Sequence, residues 1–549
     1  MCSSDLKFED KLKARSREDV WNEYCGFLDL SMDEFVQIQN RLMEEQIALW
    51  SRSPLGKKIL KGSTPKNIKE FRGLVPLTSY DDYASDLLQK KSELLPDEPV
   101  LWIQTTWEGG KHPIKVAPYT ESMLDTFKRN VCACLLLGTS TKRGDFKARS
   151  TDTILYGLAP LPYATGLLPL AFEEEIGIEF LPPVKDAVKM SFSTRNKVGF
   201  KLGLSKGIDY FFGLGSVTYY VSLSLGKMSS GGGGAISLLK KSPLRFAKIV
   251  LAKCKCIKEG RELKPKDIFK LKGFMVAGTD NACYKDDLEE LWGIRPMEIF
   301  AGTEPTCIGT ETWSRNGLYF FPDACFYEFI PSDEMEKNLA DSSYQPRTVL
   351  INEVEEGMSY ELVISVLKGG AFMRYRVGDM YQCIDLKNKD ENIKLPRFKY
   401  LDRVPNVIDI GGFTRITENS IDQVVKLSGL KITNYIAKKE FNHNNRPYLH
   451  LYVEMDPHAQ ITQAISIEIL REQLSIYFKY VDQDYQDLKK ILGIDPLKIT
   501  IIKAGTFAYY EKNHSHKIKK INPPTLEINE LLTIQDQDYR VEMGGRLYE

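Results

Sequence analysis

The sequence predicts an α/β protein that carries a smaller α+β domain at its C-terminal end. Between about residues 100 and 400, apolar strand patterns alternate with helical stretches, as in proteins whose helices cover a mixed sheet. Between 317 and 384 several strand patterns follow one another closely, which predicts an antiparallel sub-barrel packed on that sheet. The order after residue 417 is helix, strand, strand, helix, strand, which is typical of a small α+β domain.

Length, composition and charge indicate a large globular protein. At about 100–200 residues per domain, 549 residues predict two to four folding units. Apolar residues make up 43% of the chain and aromatic residues 11%, which excludes a disordered or low-complexity protein. Lys+Arg and Asp+Glu both number 74, so we expect neither a nucleic-acid partner nor a membrane partner. The first interpretation is a soluble, monomeric enzyme.

The cysteines and the N-terminal residues indicate a cytoplasmic protein. The ten cysteines and six histidines show no zinc-ligand spacing, so we interpret the cysteines as free thiols. The charged start, MCSSDLKFEDKLKARSRED, lacks the apolar core of a signal peptide. The uncharged stretch 153–172 contains three prolines, which predicts buried strand and turn rather than a membrane span.

Helices are predicted in the first hundred residues and strands beyond them. Ser31 and Glu34 form a capping box, and apolar residues follow at helical spacing. Four apolar segments that lead into turns predict buried strands: VLWIQTTW (100–107), TILYGLAPL (153–161), FMVAG (274–278) and PMEIFAGTE (296–304). A turn at 355–358 predicts a hairpin between the strands on either side of it.

The C-terminal part is predicted to form its own domain. A helix over 418–428 ends at Gly429, and it is followed by strands KITNYIA and PYLHLYVEM, a helix over 465–493 and strand KITIIKA. Asp402-Arg403 and Gly411-Gly412 lie at the junction with the preceding part of the chain and suit a hinge. We therefore divide the chain into residues 1–401 and 402–549.

Three stretches carry residue types that suit nucleotide binding. The first, TTWEGGKHPIK, follows a predicted strand, and its small residues suit a loop whose backbone N–H groups surround phosphate oxygens. The candidate residues of this loop are Thr105, Thr106, Gly109, Gly110 and Lys115. In the second, FAGTE (300–304), the glycine permits close approach of a planar ligand, and the carboxylate of Glu304 suits Mg²⁺.

The third stretch is YRVGD (375–379). An aspartate after a glycine turn can accept hydrogen bonds from both hydroxyls of a ribose, which is the role predicted for Asp379 and leaves Arg376 free for an anion. Between the second and third stretches, FFPDACFYEFIP places Glu328 on an aromatic strand.

Read together and in this order, these stretches resemble the GH3 family of acyl acid amido synthetases, which belongs to the adenylate-forming superfamily. YRVGD matches a family motif, and four further segments resemble others: AGTDNACY (277–284), FAGTE, PDACFYEFIP (322–331) and FKYLDRVPNVIDIGGFTRITE (398–418). The resemblance covers most of the chain.

The resemblance implies a large N-terminal adenylate-forming domain, a small mobile C-terminal lid domain, and ATP with Mg²⁺ as cofactors. It implies a carboxylic acid and an amine or amino acid as substrates. Thr303 would contact the α-phosphate, Glu304 would hold Mg²⁺ and Asp379 the ribose. Four further residues would lie at the nucleotide: Gly278, Thr279, Ala301 and Gly302. Three would lie at the adenylate or acyl group: Tyr163, Tyr327 and Glu328. Two would be catalytic, Arg403 at the hinge and Lys517 in a closing loop.

The phosphate loop departs from the family pattern. Trp107 and Glu108 stand where the family has small and hydroxyl residues, and a carboxylate close to a triphosphate is repulsive. Either Mg²⁺ or Lys111 compensates for this charge, or the loop has another role. Besides acid–amine ligation through an acyl-adenylate, two alternatives therefore stay open: a thioester-forming synthetase on the same scaffold, and a non-catalytic protein that binds nucleotide or acyl groups.

Overall fold

The computed structural model describes residues 8–105, 112, 114–156, 158–228, 242–410, 414–458, 463–481, 497–514 and 517–536. The chain divides into two compact units, of which the first is made of residues 1–105 and 114–402 and the second includes residues 403–549. The division after Asp402 lies one residue beyond the one that we expect from the sequence.

The strands are numbered in chain order. They are β1 (Leu101–Gln104), β2 (Val116–Tyr119), β3 (Thr153–Tyr156), β4 (Glu179–Leu181), β5 (Tyr210–Leu214), β6 (Gly273–Ala277), β7 (Met297–Gly302), β8 (Thr306–Glu311), β9 (Leu318–Phe320), β10 (Cys325–Pro331), β11 (Val349–Leu350), β12 (Ser359–Val366), β13 (Tyr375–Asp385), β14 (Arg397–Arg403), β15 (Ile408–Ile410), β16 (Thr414–Ile416), β17 (Ile432–Phe441), β18 (Pro447–Met455) and β19 (Leu497–Ile502).

The first unit is built on a twelve-stranded mixed sheet in the order β11-β10-β12-β13-β14-β9-β8-β7-β6-β5-β3-β4. The pairs from β4 to β7 are parallel. Strand β7 then pairs with β8 in the antiparallel direction, and β8 pairs with β9 in the same way. The α/β prediction is therefore confirmed, and β7 is the strand at which the sheet changes from parallel to antiparallel.

Three details of the predicted sheet are wrong. Among the described residues the antiparallel strands continue the parallel sheet in one open order, so they do not close into a sub-barrel. The predicted hairpin across 355–358 does not form, because β10 lies between β11 and β12 and pairs with both. Strand β1 pairs with β2 in a separate two-stranded sheet and not with the main sheet. Strand β10 is buried at every position, as a central strand with neighbours on both edges must be.

The α-helices surround this sheet in the first unit and complete the second. Their bounds are Phe8–Ala14, Arg17–Cys25, Met32–Arg52, Pro54–Leu60, Ile68–Leu74, Ala84–Leu87, Glu121–Thr139, Leu168–Ala171, Val184–Ala187, Phe192–Lys206, Gly215–Met228, Pro243–Lys258, Pro265–Ile268, Lys285–Trp292, Ser332–Ala340, Glu418–Ser428, Gln463–Val481, Thr506–Asn513 and Thr525–Asp536. The capping box of helix Met32–Arg52 is confirmed, since Ser31 and Glu34 each accept a hydrogen bond from the other's backbone N–H. Helix Glu121–Thr139 is buried throughout its second half and packs in the centre of the first unit.

The second unit contains a three-stranded sheet, β17-β18-β19, with β17 and β18 antiparallel and β18 and β19 parallel. The predicted order of helix, strand, strand, helix, strand is confirmed for its described residues. Helix Glu418–Ser428 ends at Gly429, whose φ of 68° is a conformation that glycine adopts without strain. Within the described part of the chain, no helix is both long and apolar enough to span a bilayer.

Candidate functional site

The parallel half of the sheet directs several strand ends to one edge. Strands β5, β6 and β7 run in the same direction, so their carboxyl ends at Leu214, Ala277 and Gly302 lie along that edge. Open α/β sheets bind ligands outside the carboxyl ends of their strands. Gly278 follows β6 with a φ of 114°, which a residue with a side chain rarely adopts. This edge is therefore the expected position of a ligand site.

Glu304 is the centre of a small polar cluster at this edge. It lies in the turn between β7 and β8 and is 8% exposed. The Tyr375 hydroxyl donates a hydrogen bond to Glu304 Oε1 over 2.7 Å, and Lys115 Nζ lies 3.2 Å from the same oxygen. Lys115 Nζ and the Tyr375 hydroxyl are 3.5 Å apart. The three sequence stretches that we singled out thus meet in one cluster, with one residue from each.

The backbone around Glu304 is shaped by an irregular hairpin. The register between β7 and β8 shifts between Phe300 and Ala301, and Thr306 has a φ of 66°. A positive φ is uncommon in a residue with a branched β-carbon and marks a constrained turn. The Tyr119 hydroxyl donates to the backbone carbonyl of Thr303 over 3.2 Å and braces this turn. Ala301 is exposed and Gly302 half-buried, so the strand end is accessible.

The phosphate-loop candidates are described only at the two ends of the loop. Thr105 N donates to the Lys115 carbonyl over 2.9 Å, and Lys115 N donates to Thr105 Oγ1 over 3.0 Å. These two bonds clamp the ends of the loop. The candidates Thr106, Gly109 and Gly110 lie outside the described residues, as does Glu108.

Asp379 lies on a bulge of β13. Val363 pairs with Arg376 and Glu361 with Met380, so β13 has two more residues than β12 over this interval. Gly378 has a φ of 81° within the bulge. The Asp379 carboxylate is 2% exposed and lies 3.4 Å from the Tyr400 hydroxyl, while the Tyr400 ring stacks on Phe300 of β7 with centroids 6.0 Å apart. The bulge therefore turns Asp379 toward the aromatic residues beside the Glu304 turn.

Arg376 is not free for an anion, contrary to the expectation from the sequence. Its Nε and Nη2 donate to the two carboxylate oxygens of Glu361 over 2.7 and 2.6 Å, and its Nη1 donates to Asn338 Oδ1 over 2.6 Å. Burial lowers the pKa of the guanidinium, but the Glu361 carboxylate outweighs burial and the net shift is upward. This forked pair fixes β13 on β12 and makes Arg376 a structural residue.

Tyr327 and Glu328 are also placed differently from the expectation that they border an adenylate or acyl pocket. Tyr327 is 1% exposed and its hydroxyl donates to the Phe321 carbonyl over 2.7 Å, inside the aromatic core. Glu328 is 1% exposed and accepts hydrogen bonds from Arg72 and from Arg374. Alternation along β10 places the two side chains on opposite faces of the sheet, and both are used in packing.

The remaining candidates lie in varied surroundings. Tyr163 is half-buried and forms a bridge with Gln104, beside the end of β1 from which the phosphate loop starts. Thr279 follows Gly278 at the carboxyl end of β6. In the second unit, Arg403 lies 4.0 Å from the buried Asp409, and Lys517 is 84% exposed and 3.9 Å from Glu511.

Sequence reasoning missed three tyrosines of the site: Tyr119, Tyr375 and Tyr400. Tyr375 is the first residue of the motif that contains Asp379, so the motif itself could have identified it. Tyr119 lies four residues after Lys115, and Tyr400 lies in the segment FKYLDRVPNVIDIGGFTRITE, so these segments could have indicated them too. No group of three or more metal-ligating side chains occurs in the part of the chain that the structure describes. A Mg²⁺ ion bound to Glu304 would therefore depend on oxygen ligands from a substrate.

Comparisons with known proteins agree with this architecture. Residues 318–403 match the model of the GH3 family central domain. The chain is 24% identical over 202 residues to the 4-substituted benzoates-glutamate ligase GH3.12 of Arabidopsis thaliana, which is 34% of this chain and 32% of the relative. It is 26% identical over 194 residues to the jasmonoyl-L-amino acid synthetase JAR4 of Nicotiana attenuata, which is 34% of this chain and 30% of that relative. The matched part thus spans about a third of the length of these curated relatives.

Two solved structures resemble nearly the whole chain. The AtGH3.15 acyl acid amido synthetase in complex with 2,4-DB has a TM-score of 0.53 at 16% identity, over 93% of this chain and 94% of that one. A 2-hydroxyisobutyryl-CoA ligase in complex with 2-HIB-AMP and CoA has a TM-score of 0.57 at 14% identity, over 94% of both chains. At these identities the similarity shows that this chain shares the fold of these two proteins.

Proposed function

We propose that this chain, which carries the central domain of the GH3 family within an adenylate-forming fold, is an ATP-dependent acyl acid amido synthetase. In the first step, a carboxylate oxygen of the acid attacks the α-phosphorus of ATP, and pyrophosphate leaves. In the second step, an amine or amino acid attacks the carbonyl of the acyl-adenylate, AMP leaves and an amide forms. A carboxylate is a poor electrophile, and adenylation replaces an oxide leaving group by AMP.

The cluster of Lys115, Glu304 and Tyr375 is the single observation that carries the proposal. It joins three distant stretches at the carboxyl edge of the sheet, where open α/β sheets bind ligands. A cation, a carboxylate and a hydroxyl in contact suit a site that holds a metal-bound triphosphate. Thr303, in the same turn, would face the α-phosphate, and Asp379 would accept hydrogen bonds from the ribose.

Glu304 would hold Mg²⁺, which neutralises charge on the pyrophosphate when bound. The carboxylate fits this role because it is an oxygen ligand, and because its partner Lys115, on a long and partly exposed side chain, can move away from it. Lys115 would then neutralise phosphate oxygens in place of Glu304. The Tyr375 hydroxyl would keep the carboxylate oriented. Arg403 and Lys517, both in the second unit, would act in the closing movement that the family resemblance implies.

The decisive experiment is pyrophosphate exchange into ATP across a panel of carboxylic acids. We expect exchange with at least one acid, and formation of an amide when amino acids are added. Formation of a thioester on addition of coenzyme A, with no amide from any amine, would favour the thioester-forming alternative. Absence of exchange with every acid, together with nucleotide binding by calorimetry, would favour a non-catalytic binding protein, the alternative that Glu108 motivates.

We also propose that the enzyme is cytoplasmic and monomeric and that it has neither a nucleic-acid nor a membrane partner. The balance of 74 basic and 74 acidic residues supports the absence of a polyanionic partner. Size-exclusion chromatography with light scattering tests the monomer, and a mass of twice 62.6 kDa would contradict it.

A further inference from the structure

A second polar cavity lies in the first unit, apart from the Glu304 cluster. It is open to solvent, has a volume of about 520 Å³ and is lined by residues 72–77, residues 345–348 and Arg374. Three of its lining residues are arginines, namely Arg72, Arg347 and Arg374, and its lining contains no carboxylate. We name it the arginine cavity.

The charges at the arginine cavity do not balance. Glu328, behind its wall, accepts from Arg374 Nε over 3.0 Å, from Arg374 Nη2 over 3.1 Å and from Arg72 Nε over 3.0 Å. Three guanidinium charges against this one carboxylate leave a surplus of two positive charges. The surplus lies on Arg72, whose side chain is 24% exposed, and on the exposed Arg347, so an anion from solution can reach both charges.

Two of the arginines keep donors for a ligand. Arg72 uses Nε on Glu328 and Nη2 on the carbonyl and hydroxyl of Thr348. Among the residues that the structure describes, none accepts a hydrogen bond from Arg72 Nη1 or from the guanidinium of Arg347. Arg347 is exposed and only its backbone N–H is bonded, to Glu334. Both arginines line the cavity, and they belong to two separate segments of the chain.

The third arginine holds the cavity wall in place. Arg374 Nη1 donates to the carbonyls of Arg72 and Val75 over 2.7 Å each, so it ties the end of helix Ile68–Leu74 to the start of β13. Arg374 itself has a φ of 46°, a conformation that is strained for a residue with a side chain. Strain that the surroundings maintain is common at ligand sites.

From this charge surplus and these donors, we propose that the arginine cavity binds a dianionic oxyanion group, either a phosphate monoester or a dicarboxylate. A dianion matches the surplus of two charges. Guanidinium groups bind phosphate and carboxylate oxygens in forked pairs, and Arg72 Nη1 and Arg347 supply the donors. The proposal does not depend on the proposed reaction, because the two sites are built around different glutamates. Tyr375 contacts Glu304 of the candidate active site, whereas its neighbour Arg374 contacts Glu328 behind the arginine cavity.

Isothermal titration calorimetry on the full chain, without nucleotide, tests the proposal. The probes are inorganic phosphate, glycerol 3-phosphate, succinate and, as a monoanion, acetate. We expect one equivalent of a dianion to bind, and Arg347→Ala to weaken binding about tenfold, as for the loss of a charge-assisted hydrogen bond. Arg347 is exposed, so this variant is expected to fold. Arg72→Gln is the second variant, since Arg374 still neutralises Glu328 in it.

Two control variants locate the bound anion. Arg41→Ala removes an equally exposed arginine elsewhere, and Lys115→Ala removes a cation of the Glu304 cluster; both should bind the dianion as the wild type does. Preference for glycerol 3-phosphate or for succinate identifies the phosphate or the dicarboxylate class. Loss of binding in Lys115→Ala with full binding in Arg347→Ala would overturn the proposal. So would equal affinity for acetate, or no binding of any dianion at about 10 mM.

Discussion

Two glutamates from neighbouring motifs, Glu304 and Glu328, have opposite surroundings. Glu304 lies in a turn at the carboxyl edge of the sheet and contacts one tyrosine hydroxyl and one lysine. Glu328 lies inside β10 and contacts two arginines and a threonine. A carboxylate with few, movable partners can exchange them for a metal ion, whereas one held by two guanidiniums is part of the framework. Whether a glutamate lies at a strand end, and how many fixed partners its carboxylate has, therefore indicates its role better than its residue type does.

Replacing Glu304 should have the largest effect on activity. We expect Glu304→Gln to keep its melting temperature and to lose about 10²–10³-fold in pyrophosphate exchange, or about 3–4 kcal/mol, as when one group that stabilises transition-state charge is removed. The control is Glu45→Gln, on an exposed helix surface. Wild-type exchange in Glu304→Gln would exclude this residue as the metal ligand.

Glu328→Gln should affect stability instead. The neutral amide leaves Arg72 and Arg374 without a balancing charge in a buried position. Breaking a buried ion pair is strongly destabilising, and because glutamine keeps part of the hydrogen bonding we expect a loss of about 2 kcal/mol in the free energy of unfolding. Denaturant titration measures this loss. An unchanged midpoint would contradict this expectation. So would a raised KM for ATP, because a smaller folded fraction lowers the maximal rate and leaves KM unchanged.

Turns that contain glycine were easier to predict from the sequence than the contacts of side chains inside strands. FAGTE and YRVGD form a turn and a bulge, where glycine and the residues around it are required by backbone shape, and both lie at the candidate site. Glu328 and Arg376 lie on paired strands, where the partner across the sheet decides a side chain's role, and that partner is remote in sequence. The fold class and the GH3 resemblance were confirmed because they depend on the order of segments rather than on single contacts.

Asp379→Ala should weaken nucleotide binding about tenfold while the protein stays folded. The loss corresponds to a charge-assisted hydrogen bond of about 1.5 kcal/mol to the ribose. Calorimetric titration with ATP measures it, and Asp390→Ala, at an exposed turn, is the control for removal of a carboxylate. If the variant binds ATP with the affinity of the wild type, Asp379 has a structural role like that of Glu328.

Tyr375→Phe tests whether Glu304 needs an orienting partner. The substitution removes a hydroxyl 2.7 Å from the carboxylate and retains the buried ring. Lys115 still contacts Glu304, so we expect a fall of about fivefold in kcat/KM, near 1 kcal/mol, and a higher Mg²⁺ concentration for half-maximal rate. If the rate falls and added Mg²⁺ does not restore it, the Tyr375 hydroxyl does not act through Glu304.

Lys115→Ala should have the smallest effect, because the lysine has two opposing roles. Without nucleotide it lies 3.2 Å from Glu304, and its removal frees that carboxylate for Mg²⁺. With nucleotide it would neutralise phosphate oxygens, and its removal weakens that attraction in a site that is partly exposed to water. We expect the second effect to exceed the first and to raise the KM for ATP about threefold, while Lys115→Arg keeps the wild-type value. If Lys115→Ala lowered the Mg²⁺ requirement without raising the KM for ATP, the lysine would serve only as the partner of Glu304, and the phosphate loop would have lost its conventional cation.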